Sequence, residues 1–202
     1  MSLPRWIVAL SGASGAPYAR RLLGLLAERG VPVEVVVTRA GAALLAEELG
    51  VVVSPDDPLP GIESMLGRRL EASQGHAWND VGASISSGSY PVHGMVVCPC
   101  SQGALAGIAA GISSDLLQRA ADVQLKERRP LLLVPREMPL SAIHLENMLR
   151  LTRAGATVMP ASPGFYHRPT EVSDLVDFVV HRILDQMGLP DPTAPRWKAD
   201  PE

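Results

Sequence analysis

Five short apolar runs constrain the fold of this chain most: WIVAL (6–10), VEVVVT (33–38), GMVVCP (94–99), PLLLVP (130–135) and ATVMP (156–160). They are continuously apolar rather than alternating. A strand with one face in water alternates; a strand without a polar face is covered on both sides, which is the mark of a parallel sheet. Helical stretches separate the runs. Leu22, Leu25 and Leu26 recur at helical spacing over 16–29, and Gly30 ends that helix. Residues 40–49 are rich in Ala, Leu and Glu. Residues 101–127 read as one or two helices broken near Gly111, with Ser113 or Ser114 as N-cap. A helix over 140–154 starts near Ser141, and one over 172–188 starts with Ser173 as its cap and stops at Gly188. Strand and helix alternate, so the expected class is α/β: a three-layer flavodoxin-like or Rossmann-like sandwich with a mostly parallel sheet.

At 202 residues the chain reads as a single domain, 1–202, with an arm from about 189 to 202 that holds several prolines. Residues 51–93 break the alternation. They hold Pro55, Pro58 and Pro60, a short amphipathic piece at 61–70, and a Ser/Gly-rich stretch, SISSGSYPVHG. The net charge of −3 makes no global field for nucleic acid or an anionic membrane. No apolar run approaches the length of a membrane span, and residues 1–30 have no signal-peptide layout; the expected location is cytoplasmic. Cys98 and Cys100, one residue apart, suit neither an ordinary disulfide nor a zinc site, and read as small buried apolar residues.

In open parallel sheets ligands bind beyond the carboxyl ends of the strands, so the residues following each run belong together. They are Ser11–Gly15, Thr38–Arg39, Cys100–Ala104, Arg136–Pro139 and Pro163–Pro169. The first turn, SGASG, has G-x-x-G spacing, which fits neither the dinucleotide fingerprint nor the P-loop. It can still present backbone N–H groups and a helix N-terminus to an anion, with the Ser14 hydroxyl beside them. The third turn repeats the device with Ser101 and Gly103. Arg119 and Lys126, seven apart, share a helix face with Asp122 between them, which also suits a solvated salt-bridged surface; Arg182 has Asp185 as an ordinary i+3 partner.

The blocks SGASGA, SSGSYPVHGMVVCPCS, RAADVQLKERRPLLLVPRE, IHLENMLRL and PGFYHRP follow one another in that order over roughly residues 5–188. With them the chain resembles the UbiX/Pad-type flavin prenyltransferases, within the wider homo-oligomeric FMN proteins that include phosphopantothenoylcysteine decarboxylases. The resemblance implies a flavodoxin-like fold assembled as a homododecamer. It implies transfer of dimethylallyl from dimethylallyl monophosphate to N5 and C6 of reduced FMN, without a metal. The product, prenylated FMN, would serve a UbiD-type decarboxylase, as in ubiquinone biosynthesis.

Carried over by position, the resemblance places FMN contacts on Gly12, Ala13, Ser14, Thr38, Ser101, Gln102, Gly103, Ala104 and Arg136. It places dimethylallyl phosphate on Lys126, Tyr166 and Arg182, with Ser87 and Gly88 reaching the site from a neighbouring subunit. Arg119, Glu48 and Glu137 match residues at the reacting centre. Glu137, the departing phosphate, or Ser14 acting with Glu48 are the candidate acceptors of the C6 proton. One position departs from the pattern: Val81 stands where some members carry an aromatic, with Trp78 three residues earlier and Trp197 in the tail. Two other readings compete. An FMN-dependent cysteine decarboxylase relies on a different substrate clamp, and a non-catalytic flavin carrier has no use for Lys126, Tyr166 and Arg182 together.

Overall fold

The computed structural model describes residues 3–194, 196 and 197. The five runs form strands β1 (Trp6–Leu10), β2 (Val33–Val37), β4 (Gly94–Cys100), β5 (Leu131–Pro135) and β6 (Thr157–Val158). A sixth strand, β3 (Gln74–His76), lies in the segment that broke the alternation and pairs with β2. The helices are α1 (Ala16–Glu28), α2 (Arg39–Leu49), α3 (Pro58–Leu66), α4 (Gln102–Ala109), α5 (Leu116–Lys126), α6 (Ala142–Arg153) and α7 (Val172–Gln186). Every strand pair is parallel, in the order β3-β2-β1-β4-β5-β6. The order reverses between β1 and β4, which makes the crevice at their carboxyl ends the topological switch point.

The unbroken apolar runs are explained by two cores, one on each face. Trp6, Val8 and Leu10 point into a core with Leu22, Leu26, Ile62 and Ile183 from α1, α3 and α7. Ile7 and Ala9, of opposite parity, point into a core with Leu105, Leu117 and Met148 from α4, α5 and α6. Fully burying each such side chain contributes about 1.5–3 kcal/mol. Glu34, an acid inside β2, is completely buried and held by Arg5, His76 and Tyr90.

Two helix starts differ from the sequence expectation. The N-cap of α5 is Asp115, whose carboxylate accepts from Gln118 N, rather than Ser113 or Ser114; Ser114 instead hydrogen-bonds the Gln118 side chain. The N-cap of α7 is Glu171, whose N–H donates to the Asp174 carboxylate, while Ser173 lies inside the helix. At both starts an acid capped the helix where a nearby serine was available. Ser14 caps nothing, since Gly15 takes the N-cap position of α1 at φ 134°, a conformation open to glycine. Of the arm, residues 189–194, 196 and 197 are described. They fold back, with Arg29 gripping Asp191 and Ala194 buried. The rest of the arm lies outside the described residues. Among those residues no helix is long and apolar enough to cross a membrane.

Candidate active site

At the switch point Ser11 ties the first and third turns together. Its hydroxyl donates to the Pro99 carbonyl at 3.0 Å and accepts from Ser101 N at 2.7 Å. Its place after β1 is legible in the sequence, but its role is not, because its partners are about ninety positions away. Gly12 permits the same close packing on the other side: a Cβ there would stand 2.5 Å from that of Ala40 at the start of α2. Thr38 caps α2, its hydroxyl oxygen accepting from Gly41 N, and Ser101 caps α4 in the same way through Ala104 N. Capping uses an oxygen lone pair and leaves each O–H free to donate.

The amino end of α1 already holds an anion, and it is Glu48 from α2. One carboxylate oxygen accepts from Gly15 N at 3.0 Å and Ala16 N at 2.8 Å. The Ser14 side chain faces the same carboxylate and helps hold it ionised, and the Arg136 side chain donates to the Ser14 carbonyl at 3.0 Å. Partial burial pushes the Glu48 carboxyl up. The bonds from Ser14, Gly15 and Ala16 and the Arg136 charge outweigh it and hold the group below the usual carboxylate range. Ser14, Glu48 and Arg136, drawn from the ends of β1, α2 and β5, therefore form one connected cluster around an ionised carboxylate.

Beside this cluster, the Gln102 side-chain amide is buried with neither its oxygen nor its nitrogen partnered. Gly103 leaves open space where a Cβ would be. Glu137 is exposed and accepts only from its neighbour's Met138 N. Arg39 lies over the Trp78 ring, 4.5 Å from its centroid, and Val81 is half exposed. The two cysteines are fully buried. Burial pushes both thiols up, Cys100 to about 12 and Cys98 beyond it. They have no place among reactive groups.

A second cluster lies beside β6. Tyr166 packs edge-on against Phe178 and Trp197, with centroids 5.6 and 5.1 Å apart. Arg182 lines a hollow with Met159, Pro160 and Phe178. Its guanidinium binds Asp185 at 2.6 Å, and Asp185 also holds Arg196 of the arm.

The third cluster is elsewhere. Lys126 ends α5, five residues before β5 begins, and so stands at the amino edge of the sheet, opposite Ser14 and Arg136. There it pairs with Glu127, not with Asp122, and Asp122 pairs with Arg119. Gly88 lies against this pair: a Cβ on Gly88 would stand 2.7 Å from the Lys126 ammonium. Ser87 is exposed, with its hydroxyl 2.9 Å from that of Ser89. Within one chain, then, Lys126 joins Gly88, Tyr166 joins Arg182 through neighbouring elements, and the two groups lie at different edges of the sheet. Among the described residues no three His, Cys, Asp or Glu side chains gather as metal ligands would.

Comparison with known proteins gives this arrangement a family. The flavoprotein family model matches residues 1–184. A flavin prenyltransferase UbiX from Pseudomonas aeruginosa is 47% identical, with 98% of this chain and 96% of that protein covered. A UbiX-like decarboxylase from Escherichia coli O157:H7, solved as a dodecamer, superposes with a TM-score of 0.85 at 43% identity, covering 96% of this chain and all of that one. AnUbiX, solved with FMN and dimethylallyl pyrophosphate, superposes with a TM-score of 0.85 at 38% identity, covering 98% of this chain and all of that one. The chain belongs to the flavoprotein family and, within it, to the UbiX flavin prenyltransferases, a group of transferases.

Proposed function

We propose that this chain moves a dimethylallyl group from dimethylallyl monophosphate to N5 and C6 of reduced FMN, without a metal, and hands prenylated FMN to a UbiD-type decarboxylase. The observation that carries the reading is the Ser14–Glu48–Arg136 cluster at the switch point. FMN fits the rim around it. The orphaned amide of Gln102 offers a donor and an acceptor to a flavin edge, the open space at Gly103 admits a ring, and Thr38 and Ser101 have hydroxyl protons to spare. FMN supplies the electron-rich ring that receives the allyl group. Because Glu48 occupies Gly15 N and Ala16 N, the SGASG turn serves the reacting edge of the flavin rather than its phosphate. Glu48 aligns the Ser14 hydroxyl and accepts the C6 proton through it; Glu137, exposed and bonded to its own neighbour, has no such relay. Gly12, Ala13 and Ala104 keep the turns close to the ring, and Arg119 lies two helical turns from Lys126 on the reacting side.

Breaking the allylic C–O bond leaves growing negative charge on phosphate. Lys126, Arg182 and the Tyr166 hydroxyl stabilise it, as fixed donors do where charge develops. Since Lys126 and Arg182 lie at different edges of one chain, the complete site forms between copies, Lys126 and the Ser87–Gly88 segment arriving from a neighbour. The exposed apolar side chains Met138, Leu140, Ile143, Leu145 and Leu149, along and just before α6, are a surface that such an assembly would cover. The dodecamer solved for the E. coli relative is the assembly we assign here.

The test has two parts. Protein incubated with reduced FMN and dimethylallyl monophosphate, in the presence of a chelator, should yield flavin heavier by one C5 unit; unmodified flavin overturns the reading. Lys126→Ala and Arg182→Ala subunits, each crippled alone, are then dissociated, mixed one to one and reassembled. If the site lies between copies, about a quarter of junctions are intact and activity returns to about a quarter of wild type. No recovery would mean that both residues serve the same subunit.

A further inference from the structure

Glu34 is a carboxylate with no access to water inside an apolar strand, and the proposed reaction does not use it. It draws together four segments that are far apart in sequence. Arg5 Nη1 and the Tyr90 hydroxyl both donate to one oxygen, at 2.5 and 2.8 Å, and His76 Nε2 lies 2.5 Å from the other. Burial pushes the Glu34 carboxyl up, and the hydrogen bonds from His76, Tyr90 and Arg5 outweigh it and keep the group ionised. Leaving a charge in such a place is costly unless it is fully partnered, so the network fixes where Tyr90 stands.

Tyr90 is two residues past Gly88. Its carbonyl accepts from Arg129 Nη1 at 3.1 Å, and the other arm of the same guanidinium donates to the Gly88 carbonyl at 2.5 Å. Arg129 is three residues past Lys126, against which Gly88 packs. A continuous set of bonds thus runs from the buried carboxylate through Tyr90 and Arg129 to the segment that faces Lys126. Ser87 and Ser89 remain exposed on its outer side.

We propose that Glu34 and Tyr90 are positioning residues: they hold the Ser87–Gly88 segment at a fixed distance from Lys126, so that the two bind the donor phosphate as one surface. This rests on the assignment of Lys126 and Ser87–Gly88 to that phosphate. Tyr90→Phe keeps the ring and removes only the hydroxyl. In the FMN-loaded oligomer with oxidised flavin, where no transfer occurs, the dissociation constant for dimethylallyl monophosphate should rise about three- to tenfold. FMN affinity should stay within about twofold, and deuterium uptake by the amides of residues 84–92 should rise. Arg129→Lys, which keeps the charge but cannot span two carbonyls, should change binding and exchange in the same direction.

A purely structural network would lower the melting temperature and leave the donor's dissociation constant alone; that result overturns the proposal. So does unchanged exchange in the loop. If wild-type protein fails to bind dimethylallyl monophosphate while the loop still loosens in Tyr90→Phe, the assignment of the phosphate site has failed, and the positioning role falls with it.

Discussion

The carboxyl and amino edges of the sheet carry the same kinds of residue in opposite conditions. At the carboxyl edge Ser14, Glu48 and Arg136 are bonded to one another within a single chain. At the amino edge Lys126 pairs with Glu127, and Gly88 packs against the pair. The first edge is built before any partner arrives. The second presents a cation whose acid partner among the described residues is an exposed neighbour, an arrangement worth little to stability. A charge held this loosely is free to be recruited, as the proposed site between copies requires.

The largest effect should come from removing the two cations of the proposed phosphate site, one from each edge. Lys126→Ala or Arg182→Ala should leave FMN bound and slow single-turnover prenylation by about a hundredfold, as losing one donor to a developing oxyanion does, on the order of 3 kcal/mol. Tyr166→Phe, which removes a neutral donor, should cost less. Ordinary salt bridges at these sites would instead change stability by under about 1 kcal/mol and turnover not at all. Wild-type turnover in both variants would end the distinction between the two edges.

Gly88→Ala probes the second edge without touching a charge. The added Cβ would stand 2.0 Å from a Glu127 oxygen and 2.7 Å from the Lys126 ammonium, so that pair must move aside. Both are ends of flexible side chains, so folding should be almost unaffected, within about 0.5 kcal/mol. Prenyl transfer should fall about tenfold, because misplacing a positioned charge costs rate rather than stability. A large drop in melting temperature with normal turnover would show that Gly88 is there for packing alone.

The two edges also differ in how far the sequence announces them. Strands β1, β4 and β5 were legible because each is covered on both faces and so lacks polar side chains; β2 departs from that pattern at Glu34, and β6 is a half-buried pair marked by the apolar residues that follow it. β3 was not legible: of Gln74, Gly75 and His76 only the last is buried, and no apolar run marks it. The rim residues were legible because position after a strand is a local property. The tie that Ser11 makes between Pro99 and Ser101 was not, and neither was the unpartnered state of the Gln102 amide. Lys126 and Arg182 could be grouped only through the family resemblance. Each has a local acid within three residues, and the fold sends them to different edges. Glu34 is plain to see in VEVVVT, but its meaning depends on Arg5, His76 and Tyr90, up to 56 positions away.

Acid should expose a further difference between the edges. Glu34 is fully buried and Glu48 only partly, and both carboxyls are held below the ordinary range. A depressed folded-state value means that the stabilisation is complete above the unfolded value, about 4.3, and is lost as pH falls through the folded one. Glu34→Gln should therefore be less stable than wild type at pH 7, by about 2–3 kcal/mol. The gap should narrow as the wild type loses its own contribution in acid. Melting curves between pH 7 and pH 3 measure this. A gap independent of pH would mean that Glu34 contributes through shape rather than charge.

The smallest expected effect is none at all, and it concerns the only thiols at the carboxyl edge. Cys98 and Cys100 end β4 beside the switch point, where a reactive cysteine would be well placed for chemistry. Both side chains are fully buried, and burial pushes the Cys100 thiol up to about 12. Only the thiolate reacts with alkylating agents, so at pH 7.5 the reactive fraction is about one in ten thousand or less before access is considered. Native protein held with excess iodoacetamide at that pH should keep full activity and gain no mass over hours, while protein in guanidinium should gain two labels. Label in the native state would mean that the β4 end opens in solution, and the carboxyl edge would then be the mobile one of the pair.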